Sequence, residues 1–362
     1  MATTTTNYGF DVPTSSDLVK NGATQIALLG QDIDTFLFRP FSKNVIINGA
    51  MDFWQRGTSY ALPAAVFNYG AADRWGVYAN SVTGRTISRQ TAGLAGFTYS
   101  QRVQRDSGNT NTQNTQLVQI IESPTATSLQ GQFVTVSFWA KAGANYSVSS
   151  SNITVVLYAG TGTDQNPYTS GYTGQTTPIS TSQAITTSWA RYSFTTSAAL
   201  ASTVTELTLA IQSGAFIGTA GANDWFEVTG VQVESGSQAT PFTRAAETLQ
   251  GELAACNRYY YRATLPTNEA LGIAMFGTTT GATVPITLPV QMRSDPAFSA
   301  GAGNIISTYT NVNYVSSAIT LDTVAFRTVS LNLTVSGATI GQAGISYING
   351  NANNYLEFSA EL

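Results

Sequence analysis

Few residues in this chain could do chemistry. There is no histidine, which removes Ser-His-Asp and Cys-His relays and the usual imidazole-bearing zinc sites. The one cysteine, Cys256, cannot form a disulfide within the chain, and the burial habit of free cysteine predicts a small core hydrophobe there. Glycoside cleavage asks only for two carboxylates at a suitable separation. Asp164, Asp224 and Glu227 are the conceivable acids, and Glu122, Asp224 and Glu227 the conceivable oxygen ligands of a structural calcium, although no dense Asp/Asn ligand loop exists. No P-loop and no Gly-x-Gly-x-x-Gly after a strand is present. The expectation is a chain with no enzyme active site and no metal.

Adhesion to sugar needs less: aromatic faces beside neutral amides and hydroxyls. Residues 160–181, GTGTDQNPYTSGYTGQTTPIST, have those types, lack an apolar period and are long for a connection, so they read as an exposed functional loop. Tyr168 and Tyr172 are its expected glycan contacts. Trp54, Trp75, Trp139, Trp189 and Trp225 could also stack on sugars, but most sit in strand-like or motif segments. Trp139 and Trp189 are expected in a sandwich core.

These residues must be carried by β structure. Only 10% of the chain is charged against 43% hydrophobic, so Thr, Ser, Asn, Gln and Gly form the polar surface, and these favour strands and tight turns. The net charge of −4, from 16 basic and 20 acidic residues without a basic run, predicts no nucleic-acid partner. No stretch approaches the ~18 apolar residues of a membrane helix. The N-terminus lacks the basic start and apolar core of a secretion signal, so assembly in a cytoplasm and no membrane insertion are expected.

Residues 1–14 are polar and read as an arm that orders against a partner. Behind them Leu18, Ile26, Leu29, Ile33 and Phe36, with Gly22 in register, recur at steps of three and four, a helical stripe that Pro40 ends. One amphipathic helix cannot bury its stripe alone. It either packs on its own domain or pairs with copies of itself as a short parallel three-helix bundle. From residue 44 to about 243 the pattern turns to strands, with candidates at 45–47, 76–79, 85–90, 98–104, 116–122, 133–141, 153–159, 190–195, 206–212 and 225–234. A short helix is expected within 243–260, and strands resume to residue 362. Many strands without intervening helices predict a jelly-roll sandwich followed by a second, smaller β-sandwich.

Residues 44–75, NVIINGAMDFWQRGTSYALPAAVFNYGAADRW, carry N-x-x-x-NG, WQRG-[TS] and DRW; residues 231–243 read VQVESGSQATPFT, residues 253–261 LAACNRYYY, and residues 134–142 and 288–298 VTVSFWAKA and LPVQMRSDPAF. In type and order these resemble segments of tail-fibre, collar and head-appendage proteins of tailed bacteriophages. The resemblance implies a jelly roll similar to carbohydrate-binding modules, closed by the Arg-Tyr-Tyr stretch that leads into a smaller β domain. It implies a mainly β virion structural protein with no cofactor, and it favours a homotrimer. The expected domains are 1–42 (virion anchoring and trimerisation), 43–247 (jelly roll) and 248–362 (C-terminal β domain). Expected partners are two further copies, other virion proteins through the arm, and host surface glycan. The alternative is a receptor-binding protein or polysaccharide depolymerase.

Overall fold

The structure is a computed structural model that describes residues 3–4, 11–12, 14, 21–37, 44–63, 67–79, 82–264, 270–301, 306–309, 312–325, 327–348 and 355–362. The chain divides into two compact units, Met1–Lys43 and Asn44–Leu362.

In the first unit two-residue strands, β1 (Thr3–Thr4) and β2 (Asp11–Val12), pair antiparallel, and α1 spans Gly22–Leu37. Leu18 lies outside the described residues. Gly22, Gln25, Leu29 and Asp32 form the half-buried stripe of α1, whereas Ile26 and Ile33, one heptad apart, are 65% and 40% exposed. The helix is where the periodicity puts it, and among its described side chains Ile26, Leu28 and Ile33 are exposed. Phe36 lies within its last turn.

The second unit begins as a sandwich of two six-stranded antiparallel sheets. One runs, in spatial order, β11 (Thr176–Ala184), β10 (Asn152–Gly160), β13 (Glu206–Ser213), β8 (Gln116–Ile121), β5 (Gly76–Tyr78), β4 (Phe67–Asn68). The other runs β12 (Ala190–Thr195), β9 (Val134–Ala142), β14 (Trp225–Ser235), β7 (Phe97–Arg105), β6 (Arg85–Leu94), β3 (Ser59–Ala61). The chain crosses repeatedly between sheets, and alternate residues point into one core. Val134, Val136, Phe138 and Ala140 meet Leu207, Leu209 and Ile211 there. On β14 the inward set shifts from Phe226 and Val228 to Val231 and Val233. A bulge at Gly230 (φ +61°) changes the phase, and a Cβ there would fall 2.6 Å from the Phe97 ring.

The expected strand at 45–47 is absent: Val45 donates one backbone bond to Val233, but the segment turns at Asn48 instead of joining a ladder. Strand β11 takes the last six residues of the presumed loop, which shortens to residues 161–175. Helix α2 (Ser123–Thr127) is an addition with Pro124 in its first turn. Helix α3 (Leu249–Asn257), inside the expected 243–260 window, is capped by the Thr248 hydroxyl, which accepts from Gly251 N at 3.0 Å.

Beyond α3 a second apolar core runs from Ala263 to Ala360. A three-stranded sheet orders β15 (Tyr260–Ala263), β24 (Leu356–Ser359), β18 (Ala297–Ala300). A seven-stranded sheet orders β20 (Asn313–Val315), β19 (Ile306–Tyr309), β23 (Ala343–Ile348), β16 (Ala270–Thr278), β17 (Gly281–Thr287), β22 (Thr328–Thr334), β21 (Ala318–Ala325). The protein is mainly β and sandwich-like. Among the described residues no helix is long and apolar enough to cross a membrane.

Candidate functional site

The motif residues converge on the junction between the sandwich and the C-terminal sheets. Asn48 holds the left-handed turn of the Asn-Gly pair (φ +58°), and Gly49 is required because a Cβ would sit 2.1 Å from Val231 O. The Asn48 amide donates to Phe53 O and Asp73 O at 2.9 and 3.0 Å, while its backbone N–H donates to Glu252. Gln55 ties three of the phrases together. Its N–H and Nε2 donate to the two Asp73 oxygens at 2.9 and 2.8 Å, Nε2 also reaches Asn257 Oδ1 and Tyr260 O, and Oε1 accepts from Arg262 N. Asn44 and the Gln232–Glu234–Thr240 cluster stitch the next segment. Thr240 donates its N–H and hydroxyl to Glu234 at 2.8 and 2.6 Å, and Thr243 N donates to Gln232 Oε1 at 2.9 Å.

Charge closes the joint. Glu361 pairs with both Arg56 (3.1 Å) and Arg74, whose guanidinium also donates to Ile120 O. Arg56 lies 3.5 Å over the Tyr260 ring and Arg74 3.6 Å over Tyr259. Arg258 and the Tyr259 hydroxyl both donate to Glu122, at 2.8 and 2.7 Å. Cys256 is fully buried beside this network, and burial pushes its thiol well up. Burial likewise raises Asp73 to about 6, against the lowering effect of the Gln55 bonds. Gln55, Arg56, Arg74, Glu122 and Glu361 make the bonds that hold the two β modules together.

The candidate acids are also occupied. Asp224 accepts from Ser147 N and Oγ at 3.0 and 2.7 Å and faces Arg105 at 3.5 Å. Glu227 is clamped by Ser100, Arg102 and Lys141. Asp164 accepts from Ser123 N and from Arg293. Among the described residues no group of three or more His, Cys, Asp or Glu side chains gathers as a metal site.

The loop at 161–175 is pinned, not free. Glu206 accepts from Gly162 N and Gln165 N, and the loop lies on the outer face of the sheet that carries β8, β10 and β13. Tyr172 is only 8% exposed, with its hydroxyl 2.5 Å from Thr208 Oγ1. Tyr168 is half-buried, stacked on Phe67 with its hydroxyl donated to Gln116 at 2.8 Å. The exposure expected of these tyrosines therefore fails for Tyr172 and is partial for Tyr168. The sheet beneath presents Val118, Ile120, Val156 and Ala210 outward, and apolar outward residues need a cover.

A neutral row crosses this face; the loop's Tyr168 covers its Phe67–Gln116 end and leaves Gln212, Thr154 and Ser182 accessible. Register aligns Phe67, Tyr78, Gln116, Gln212, Thr154 and Ser182, with Tyr158 two rows away on the same face. Asn114 donates to Gln212 at 3.1 Å, and Thr154 and Ser182 share a hydrogen bond. Half-buried rings of Tyr78, Tyr158 and Tyr168 thus flank amides and hydroxyls with no charge in the row. That surface can stack a sugar ring and bond its hydroxyls. Sequence reasoning missed it because the row joins residues up to 115 apart that only strand pairing aligns.

The tryptophans divide otherwise than expected. Trp54 and Trp75 are core, donating Nε1 to Met51 O and Asn48 O. Trp139 and Trp189 are half-buried on the outer side of the other sheet. Position 139 alternates out of phase with the inward Phe138, so the strand period itself excludes it from the core. Lys141 lies over Trp189 and Arg102 over Trp225, so cations already cover these rings.

No protein-family model matches the chain, and no curated protein matches its sequence. Similar solved structures include the enzymatically active domain of bacteriophage CBA120 tailspike protein 4, at 12% identity and TM-score 0.33, over 53% of this chain and 21% of that one. A CBM4 module is 16% identical at TM-score 0.32, over 52% of this chain and 98% of its own. The CBM22-2 xylan-binding domain of Paenibacillus barcinonensis Xyn10C is 14% identical at TM-score 0.30, over 45% of this chain and 92% of its own. At these scores the likenesses carry no argument about function.

Proposed function

We propose that the chain is a virion structural protein of a tailed bacteriophage. In this reading it is a homotrimeric fibre or spike of tail, neck or capsid. Its arm binds other virion proteins, and its β modules serve attachment, decoration and weak glycan adhesion without catalysis. The observation that carries the reading is the joint. The phrases that resemble phage appendage proteins are the residues that lock sandwich and C-terminal sheets together through Gln55, Arg56, Arg74 and Glu361. A rigid two-module shaft is a mechanical function, and the candidate acids are engaged in structural pairs. The exposed Ile26 and Ile33 on α1 support assembly through the helix.

Native mass spectrometry of the full chain tests the assembly, with three chains expected, and immunogold labelling of virions tests the location. A mass of one or two chains, or unlabelled particles, would refute the reading. The neutral row favours adhesion over cleavage. Incubation with host polysaccharide is expected to release no reducing ends, and their release would establish the depolymerase alternative instead.

A further inference from the structure

The seven-stranded sheet buries one face on the second core, and among the described residues the other face carries exposed apolar side chains. Its inward set includes Ala274, Phe276, Val284, Leu331 and Ile348. Alternation then turns Ile273, Met275, Ile345 and Val315 outward, where they are 61%, 67%, 54% and 51% exposed. Ile273 and Ile345 are direct cross-strand partners, and Met275 pairs with Ala343 and Thr283 on either side. The apolar side chains therefore form one patch across β16 and β23, with Val315 at the β20 end. An ordinary solvent-facing sheet would carry polar residues at these central positions.

We infer that this outer face is a homotypic interface on which further copies of the same chain seat. The inference rests on the homo-oligomeric reading above. Two observations choose the occupant. Strands β16, β17, β19, β20, β22 and β23 contain no ionisable Asp, Glu, Lys or Arg. Asp322, the one acid in the strands of this sheet, lies on the edge strand β21; the other six strands have no charge to select a charged partner, and pairing them with copies of themselves brings no like charges together. The surrounding Thr, Ser and Asn side chains both donate and accept, so they too are self-complementary. The second observation is size. Seven strands about 4.8 Å apart and roughly 20 Å long offer about 600 Å² per chain. That approaches the roughly 800 Å² that each partner contributes to a standard interface.

Met275 is a built-in probe, because Met51 and Met292 are buried and serve as internal references. The full chain is treated with dilute hydrogen peroxide at a series of protein concentrations. Sulfoxide formation is read residue by residue beside the native mass. In the oligomer Met275 should oxidise about tenfold more slowly than a free methionine, and dilution to single chains should abolish the protection. Free-rate oxidation in an intact oligomer would overturn the interface and leave the oligomeric reading standing. Protection that persists in single chains would mean that the chain covers its own face, which also overturns it. A single-chain mass at every concentration would sink both. As a second measure, Ile273→Thr with Ile345→Thr should raise the dissociation concentration at least about tenfold without lowering the melting temperature of the dissociated chain. An unchanged dissociation concentration would count against the interface.

Discussion

Burial holds the Asp73 carboxyl at about 6 in the folded joint, above the ordinary range of an aspartate. An acid raised on folding binds its proton more tightly in the native state. Its contribution is therefore fully present below the unfolded pKa and is lost as pH rises through about 6, with a span of about 3 kcal/mol. Glu252, raised by burial, has the same sign. Glu122 has the opposite sign, because the bonds from Arg258 and Tyr259 outweigh its burial. Subtracting Asp73→Asn from wild type isolates the effect. Chemical denaturation between pH 4 and 7 should show wild type losing stability relative to the variant as pH rises. Parallel profiles would mean that Asp73 does not titrate in that window. The variant is offset because an amide NH₂ then meets a Gln55 donor, so the slope carries the information. Gln55→Ala leaves several buried partners unmet and should cost about 3 kcal/mol by urea unfolding.

At the level of elements, the helix and the pinned loop make opposite predictions. Replacing Ile26 and Ile33 by Asp should leave the β body folded, because it is a separate compact unit, while the native mass falls toward a single chain. If the mass stays at three chains, the β modules hold the assembly. Tyr168→Ala is a packing change, since the ring is stacked on Phe67 and tilted against Tyr78. It should cost about 3 kcal/mol in unfolding measurements, so lost adhesion in that variant would not identify a contact. Gln212→Ala on the neutral row is the cleaner probe. It should lower adsorption to host cells severalfold while the stability change stays within about 1 kcal/mol. Unchanged adsorption would remove the row as the contact surface.

For the whole molecule, the two-unit division bears on anchoring. Deleting residues 1–14 should give a soluble oligomer with the wild-type melting temperature that is missing from virions. Normal incorporation would place the anchor elsewhere. Weak adhesion at each copy becomes effective only through several copies, so single-chain variants should adsorb far more poorly than their per-site affinity suggests.

Local pattern was enough to fix much of this protein. Period-two alternation at Val134–Val136–Phe138 and Leu207–Leu209–Ile211 specified inward faces, the steps of three and four at Ile26–Leu29–Ile33 specified α1, and composition specified a neutral β surface. These are signals within one element, and adjacent residues are enough to generate them. Tertiary structure decided the rest. The Gly230 bulge reversed the phase of β14, and an outer sheet face with its own apolar residues buried Tyr172. It also turned the phrases at 44–75 and 253–261 into one joint, and aligned residues as distant as Phe67 and Ser182 in a single row, whereas the outward phase of Trp139 was already legible from its place next to Phe138. The reason is physical. A strand's sequence states which residues share a face, but only the pairing of strands far apart in the chain states what that face meets.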